Sequence, residues 1–535
     1  MLPVLAIPDP WFGGTKLKPS KFWLFAALAC AALPLEARAA ENWWRASSDH
    51  FVVYSQGTQD DARKLAISLE RLDQAERYMR HLKPDERAIA TSEKLTIYQF
   101  GETAAIGALY GEPYVAGFFV SRPGNSVAFV PLRANRDGGS RVDNSKYDLM
   151  PASVLFHEYT HYFMYQHAAA AYPIWYSEGF AELFSTLVIQ PRGFVLGQVP
   201  AHRQLNLKYE TMSIARLLNP PKDFGGLTVG DVYAGGWLMT SYLTFEPSRA
   251  GQLDDYLRRL NRGETKLDAA KNAFGDLSRL TSDIDAYRRG KSRIVEVKFT
   301  DYATPETQVS PVPADMGDAM MLRIRLDRGV TRKKANGVVP MARRLAARYP
   351  DNADISIMAA DAELKADNVD EAEALGKRAL AASPKSAQAN MMLARIAMRR
   401  AQTDPAAFKA ARAHYLASNH ADDKNAEALY GYYLTFVLAG QQPTEDALIA
   451  LEEAFRLAQF EDTIRETLVW QLLREDRMPE AQAVFGPLVN QQHAGKKAHE
   501  RWDKVATQLN AGNKVEAMAI LQPTIKPRDD DEEED

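Results

Sequence analysis

The chain reads LFHEYTHYFM from residue 155 to residue 164, and this stretch contains the spacing H-E-x-x-H. In a helix, side chains four positions apart lie on one face, so His157 and His161 can present ring nitrogens to one ion. Zinc accepts imidazole nitrogen at about 2.0–2.1 Å in a tetrahedral shell, which suits this spacing. Glu158 can reach a metal-bound water without itself binding the metal. The stretch therefore predicts a zinc-binding helix with a general base; the alternative is a helix with two partly buried histidines.

A second motif follows between residues 173 and 184, where the chain reads PIWYSEGFAELF. Together, H-E-x-x-H and W-x-x-E-G-x-A-E resemble the gluzincin metallopeptidases, the group that includes thermolysin and aminopeptidase N. The resemblance implies one resident Zn²⁺, with Glu178 on a second helix as the third ligand. Glu182 is the competing third ligand; by the same resemblance, it instead accepts a hydrogen bond from the outer nitrogen of a ligand histidine. Sixteen residues separate His161 from Glu178, slightly fewer than in aminopeptidase N-like enzymes, which predicts a tighter loop between the helices.

A third stretch reads DVYAGGWLMTSYL from residue 231 to residue 243 and opens a helix with a tyrosine near its start. A similar pattern recurs in small peptidase-like gluzincin domains. The resemblance implies that Tyr233 donates a hydrogen bond to the oxyanion of the reaction. A packing tyrosine is the alternative, and His167 and His202 are further candidate donors.

The resemblance also implies the activity, which is hydrolysis of peptide bonds by a metal-activated water. Glu158 would take the proton of the attacking water and pass it to the leaving amine, while zinc and Tyr233 share the developing negative charge. The G-x-M-E-N signature of aminopeptidase N-like enzymes is absent from the sequence, which favours endopeptidase action or processing of a specific protein and leaves exopeptidase action open. Two alternatives stay open: a catalytically degenerate binding scaffold and a zinc hydrolase of non-peptide substrates.

The residues before the first motif predict a β-rich unit. Alternating apolar residues predict strands at 51–55 and 94–100, and helical spacing predicts a helix at 60–82. Residues 114–120 and 126–131 read as a hairpin across the turn at 122–125. In gluzincins an edge strand pairs with extended peptide, and residues 116–120 or 126–130 could supply that edge. The expected fold is therefore an α+β, thermolysin-like catalytic domain with a small mixed sheet plus helices.

The second half of the chain is alanine-rich and helical in pattern. Pro350 and Pro384 lie 34 residues apart, and residues 359–366 and 369–382 between them read as a helix–turn–helix with small residues at packing positions. This spacing and pattern resemble the tetratricopeptide repeat. The region is expected to form an all-α solenoid that offers a protein partner a concave surface; a plain helical bundle is the alternative.

The N-terminus predicts export. Three lysines between residues 16 and 21 precede an apolar run at 22–35 and an A-x-A site near residue 40, a pattern typical of a secretory signal peptide. The run is short for a bilayer span, and no later segment is apolar enough to cross one. Cys30, the only cysteine, lies within the run, so a mature chain would have neither disulfides nor cysteine-ligated metals. A bacterial periplasmic location follows, with lipid anchoring at Cys30 as the alternative.

The expected partners are a peptide or protein substrate and a protein that binds the repeats. The net charge of −4 provides no basic footprint for nucleic acid. The predicted organisation has five parts: signal peptide 1–40, zinc metallopeptidase domain 41–300, proline-rich linker 301–316, helical repeat domain 317–525 and disordered acidic tail 526–535.

Overall fold

The computed structural model describes most of the chain between residues 43 and 524. The described ranges are 43–83, 90–112, 115, 117–133, 151–167, 170, 172–209, 213–219, 228, 230–290, 293–299, 303–489 and 496–524. The predicted signal peptide, Cys30 and the acidic tail lie outside these residues.

The strands form two sheets. They are β1 (Trp44–Ser47), β2 (Phe51–Ser55), β3 (Leu95–Glu102), β4 (Phe118–Val120), β5 (Val127–Arg133), β6 (Val188–Gln190), β7 (Gly193–Leu196), β8 (Val295–Lys298) and β9 (Gln308–Pro311). The larger sheet has the order β4-β5-β3-β2-β1-β9, with parallel pairing of β2 to β3 and of β3 to β5, and antiparallel pairing elsewhere. Strands β6, β7 and β8 form the smaller antiparallel sheet. The predicted small mixed sheet is confirmed.

The sheet edge decides between the two candidate peptide-pairing strands. β4 lies at the edge of the larger sheet, whereas β5 lies between β4 and β3. The predicted hairpin is present, because Phe118 pairs with Phe129 and Val120 pairs with Val127 in antiparallel register. Among the residues that the structure describes, β4 has one edge without a neighbouring strand, whereas both edges of β5 are paired.

Helices cover the sheet and continue through the N-terminal half. They are α1 (Gln59–Met79), α2 (Thr103–Tyr110), α3 (Pro151–His167), α4 (Ile174–Ser185), α5 (Gln204–Tyr209), α6 (Ile214–Leu218), α7 (Gly236–Phe245), α8 (Gln252–Asn261), α9 (Lys266–Phe274) and α10 (Leu277–Arg289). α1 begins with a capping box in which Thr58 and Asp61 satisfy each other's backbone N–H groups. Strand β2 is buried on both faces because successive side chains alternate: Phe51 and Val53 join the core beneath α1 and α3, and Val52 and Tyr54 join a second core on the opposite face.

That second core is closed by the first helix of the C-terminal half, α11 (Ala314–Arg328). Met320 and Ile324 of α11 are fully buried against the sheet. Arg323 lies over the ring of Tyr54, with its guanidinium carbon 4.7 Å from the ring centroid, and its Nη1 donates to the Tyr54 hydroxyl at 2.9 Å. The two halves of the chain therefore share a hydrophobic core.

The predicted linker at 301–316 needs correction. Within it, β9 (Gln308–Pro311) pairs antiparallel with β1, and α11 begins at Ala314. The prolines predict an extended backbone, and this expectation is met by a linker and by an edge strand alike. Proline is tolerated at the edge of a sheet because no ladder hydrogen bond from its nitrogen is needed there. The segment connects the two halves, but it also belongs to the sheet.

The C-terminal half is an array of antiparallel helices. Those after α11 are α12 (Arg332–Ala335), α13 (Val339–Arg348), α14 (Ala353–Lys365), α15 (Val369–Ala382), α16 (Ala387–Arg400), α17 (Ala407–Ala421), α18 (Ala426–Val437), α19 (Glu445–Leu457), α20 (Asp462–Arg474), α21 (Met478–Val489), α22 (Lys496–Asn510) and α23 (Lys514–Leu521). Small side chains such as Ala359, Ala372 and Ala379 are fully buried between neighbours, which lets the helices approach closely. The predicted repeat-like helical array is confirmed. None of the helices in the described part of the chain is both long and apolar enough to cross a membrane.

Candidate metal centre

The three predicted metal ligands meet at one point between α3 and α4. His157 Nε2 lies 3.1 Å from His161 Nε2 and 3.2 Å from Glu178 Oε2, and the remaining side of the triangle, from His161 Nε2 to Glu178 Oε2, is 3.4 Å. A tetrahedral zinc with bonds of about 2.0–2.1 Å would hold neighbouring ligand atoms about 3.3–3.4 Å apart. The triangle therefore fits one face of a zinc tetrahedron. All three residues are buried. Within the described part of the chain, their ligand atoms form a group of three histidine and acidic side chains that lie close enough together to share one ion.

The pKa of His157 is set by two opposing effects, its burial and its contact with Glu178. Burial works against the charged form of His157, but the hydrogen bond and negative charge of Glu178 outweigh it and raise the pKa of His157 overall. Two imidazoles and a carboxylate in a buried triangle are a costly arrangement unless something satisfies them. A divalent cation would do so with the same three atoms.

Helix α4 brings Glu178 to the site because its neighbour Gly179 allows a close helix contact. A Cβ on Gly179 would lie 2.2 Å from the backbone oxygen of Gly236, and a Cβ on Gly236 would lie 2.4 Å from the backbone oxygen of Trp175. Only glycine permits the α4 and α7 backbones to approach this closely. The glycine of the E-G pair thus has a packing role, which places the turn before α7 beside the metal ligands.

The outer nitrogen of one ligand histidine has a hydroxyl partner. Ser177 Oγ lies 3.2 Å from His161 Nδ1, and Ser177 is buried. Such a contact fixes the ring orientation of a metal-binding histidine. Sequence reasoning did not identify Ser177, although it directly precedes Glu178.

Glu182 lies one helical turn beyond Glu178, but its partners differ from the one expected. Its Oε2 lies 3.1 Å from His202 Nε2, while its Oε1 accepts from Arg203 Nε at 2.9 Å and lies 2.8 Å from Arg203 Nη2. Burial disfavours the charged carboxylate, yet His202 and Arg203 together lower the pKa of Glu182 to about 2. The expected hydrogen bond from a ligand histidine is thus replaced by an ion pair, and the metal triangle is completed by Glu178.

Tyr233 lies against His157, one of the three candidate metal ligands. Its ring stacks on His157 with centroids 6.0 Å apart and an angle of 27° between the ring planes. On the ring of Tyr233 lies the guanidinium carbon of Arg203, 4.7 Å from the centroid. Tyr233 belongs to a π-helical turn, Asp231–Gly235, a feature that is frequent at functional sites. Burial, and then the charges of Glu178 and Glu158, raise the pKa of Tyr233, so its hydroxyl keeps its proton at neutral pH.

Arg203 therefore joins two parts of the site that the sequence analysis treated separately. It neutralises Glu182 and packs on Tyr233, and it was missed because it lies 21 positions from Glu182 and 30 from Tyr233. Its neighbour His202 was a candidate oxyanion donor, but the imidazole instead faces Glu182. His167 is at the end of α3, ten residues or about 15 Å along the helix from His157, and its ring packs on Phe163.

The opposite side of α3 is anchored to α1. The hydroxyl of Tyr159 donates to Asp73 Oδ1 at 2.7 Å, and Thr160 Oγ1 lies 2.7 Å from Glu76 Oε1. Burial raises the pKa of Glu76 well above its usual value. These buried contacts fix α3 against α1, and so keep His157 and His161 directed towards α4.

Comparison with known proteins supports the repeat region. A tetratricopeptide-repeat family model matches residues 331–396. A crystal structure of a thermophilic tetratricopeptide-repeat protein from Thermus thermophilus is similar, at 17% sequence identity over 35% of this chain and 97% of that one, with a TM-score of 0.30. No curated protein matches the chain. The family match covers α13 to α15 and most of α16, and tetratricopeptide repeats generally mediate protein interactions.

Proposed function

We propose that the protein is a zinc-dependent peptidase whose catalytic unit is joined to a protein-binding repeat array. The observation that carries the proposal is the buried triangle of His157, His161 and Glu178, whose sides of 3.1, 3.2 and 3.4 Å match a face of a zinc tetrahedron. The motif resemblance to gluzincins supports peptide bonds as the substrate. An exported, periplasmic location remains part of the proposal, since it rests on the leader pattern of residues 1–40.

Three side chains would hold the metal, and others would act on the substrate. When bound, zinc would act as a Lewis acid that polarises a carbonyl and makes water more acidic. Glu158 follows the first ligand on α3, so its carboxylate can accept a proton from the nucleophilic water and deliver it to the leaving amine. Tyr233, which retains its proton, can donate a hydrogen bond to the developing oxyanion. Ser177, Arg203 and Glu182 position these groups without touching the reacting atoms.

The first test separates metal binding from catalysis. The purified full-length protein is expected to bind one zinc per chain and to hydrolyse peptides in a chelator-sensitive manner. Glu158→Gln should keep that zinc but lower the hydrolysis rate about 10²–10⁴-fold, because it removes the proton acceptor and leaves the ligands in place. His161→Ala is the matched variant, since it should lose zinc as well as activity. Full activity of Glu158→Gln, or a wild-type chain that binds no zinc, would contradict the proposal.

The repeat match favours a second function that does not require catalysis. Tetratricopeptide repeats suggest a protein-binding scaffold, and this role would stand alone if the metal site were inactive. Metal analysis distinguishes the two, because a degenerate site should bind zinc weakly or not at all. A folded protein that binds a protein partner but holds no zinc would favour the scaffold.

A further inference from the structure

Strand β4 crosses helix α3 at the level of the proposed base. A Cβ on Gly117, just before β4, would lie 3.2 Å from the side chain of Val154, and the ring of Phe119 lies 5.5 Å from that of Tyr162. Glu158 is midway between Val154 and Tyr162 along α3. An extended chain added to the edge of β4 would therefore run past Glu158.

The extended chain would follow a path along α3 and β4, and the repeat array closes one end of this path. With about 3.6 residues per turn, Glu158, Tyr162 and Gln166 follow one another along one side of the helix. The ring of Tyr162 meets that of Phe460 at 5.6 Å, and Gln166 Nε2 donates to the backbone oxygen of Leu457 at 2.8 Å. Leu457 is the last residue of α19 and Phe460 lies in the connection from α19 to α20, so the array lies across the end of α3.

The same connection also closes the path along β4. Ser121, the residue after β4, donates from Oγ to Glu461 Oε1 at 3.3 Å, and Glu461 is buried. Next along the chain, Arg122 donates from Nη2 to the backbone oxygen of Leu326 on α11, at 3.4 Å. The end of β4 is therefore held by α11 on one side and by the α19–α20 connection on another. We name the segment Leu457–Glu461 the end wall, because α3 and β4 both meet it.

We propose that the end wall makes this site specific for the amino-terminal ends of peptide chains, an inference that rests on the proposed peptidase function. A substrate paired antiparallel with β4, the slightly more stable type of pairing, would direct its amino terminus towards Ser121. From Phe118, at the level of Glu158, to Ser121 is three residues, or about 10 Å at about 3.3 Å per residue. No more than about four substrate residues fit between the cleaved bond and the end wall. The protein thus releases short amino-terminal fragments, in contrast to the endopeptidase action that the missing G-x-M-E-N signature had favoured.

A peptide ladder tests this geometry. The zinc-loaded full-length protein is incubated with unstructured peptides of about 20 residues, and early products are identified by mass spectrometry with and without chelator. Zinc-dependent cuts within about four residues of the amino terminus are expected. Early cuts at interior bonds, or at the carboxyl end, would overturn the end-wall proposal but leave the zinc peptidase intact. Absence of any zinc-dependent cleavage would overturn both.

A variant of the wall tests its role directly. Phe460→Ala should open the end of the path, so that longer amino-terminal fragments appear among the early products while zinc content stays at one per chain. Phe455→Ala is the matched control, because Phe455 is also partly buried in the same hydrophobic cluster and lies beneath Arg465 of the array; it should leave the fragment lengths unchanged. A folded, zinc-loaded Phe460→Ala protein with the wild-type fragment pattern would overturn the proposal. If this variant does not fold, the positions at which the wild-type protein cuts the peptides of about 20 residues test the proposal instead.

Discussion

The candidate metal centre and the repeat array both contain arginine–carboxylate pairs, and two of them, Arg203–Glu182 and Arg400–Asp370, lie in opposite environments. Around the metal centre, the side chains of Arg203 and Glu182 are 8% and 0% exposed. In the array, Arg400 binds Asp370 with exposed fractions of 38% and 86%. An exposed ion pair contributes about 0–1 kcal/mol, whereas removing one partner of a buried pair leaves an uncompensated charge and costs about 3–5 kcal/mol. We therefore expect the Arg203–Glu182 pair to matter far more for stability than the Arg400–Asp370 pair.

The two regions also use small residues differently. At the metal centre, Gly179 and Gly236 bring two helix backbones into contact, so an added methyl group would meet a backbone oxygen. In the array, a Cβ on Gly376 would meet the end of the Leu393 side chain at 2.9 Å. A leucine side chain can change rotamer, but a helix backbone cannot move without displacing the whole element. The helix contact at Gly179 and Gly236 is thus rigid, whereas the contact at Gly376 can adjust.

The largest contrast is expected from removing the buried arginine. Arg203→Ala should lower the free energy of unfolding of the zinc-free protein by about 3–5 kcal/mol, because Glu182 would remain buried without its main counter-charge. Chemical denaturation followed by tryptophan fluorescence measures this loss. Replacing both partners, as in Arg203→Met with Glu182→Met, should recover part of it. A loss below about 1 kcal/mol for Arg203→Ala would show that the pair behaves like an exposed one.

A smaller effect is expected at the helix contact. Gly179→Ala should destabilise the protein by about 1–3 kcal/mol through overpacking against Gly236, and should weaken zinc binding by displacing Glu178. Gly376→Ala in the array is the matched substitution, and it should be close to neutral because improved helix propensity offsets a contact that Leu393 can relieve. Thermal unfolding and zinc titration of the two variants provide the comparison. Equal stability losses would contradict the proposed difference in rigidity.

The smallest effect is expected at the surface of the array. Arg400→Ala should change the free energy of unfolding by less than about 1 kcal/mol, since Asp370 stays hydrated after its partner is removed. Any loss should also shrink as salt is added, because exposed charges are screened. Denaturation at low and high salt measures both. A salt-independent loss of several kcal/mol would indicate that this pair has a structural role comparable to that of Arg203 and Glu182.

The closed path between β4 and the array adds a link between the two regions. The array was expected to recruit a partner with its concave surface, but part of it contacts the N-terminal half of the same chain through α11 and the end wall. Tyr98 and Arg122, from the sheet and the β4–β5 turn, both contact Asp327 of α11. Partner binding to the remaining repeats is compatible with these contacts, while the α11 end has an internal structural role.

Local patterns were sufficient for the features that depend on neighbouring residues. Helical spacing alone predicts that His157 and His161 share one face, whereas Glu178 was indicated by the resemblance to gluzincins. The hairpin of β4 and β5 and the helix–turn–helix rhythm of the repeats were also evident, since turn residues and apolar periodicity are properties of the chain itself.

Other features required the tertiary structure because the contacting residues are far apart in sequence. Arg203 acts on Glu182 and Tyr233 only after three separate segments pack together, and Ser121 meets Glu461 across 340 positions. Prolines at 305–313 indicate an extended chain in either a linker or an edge strand, and only the presence of β1 beside them selects the strand. Backbone geometry thus determined which residues could become ligands, and long-range packing decided which groups surround them.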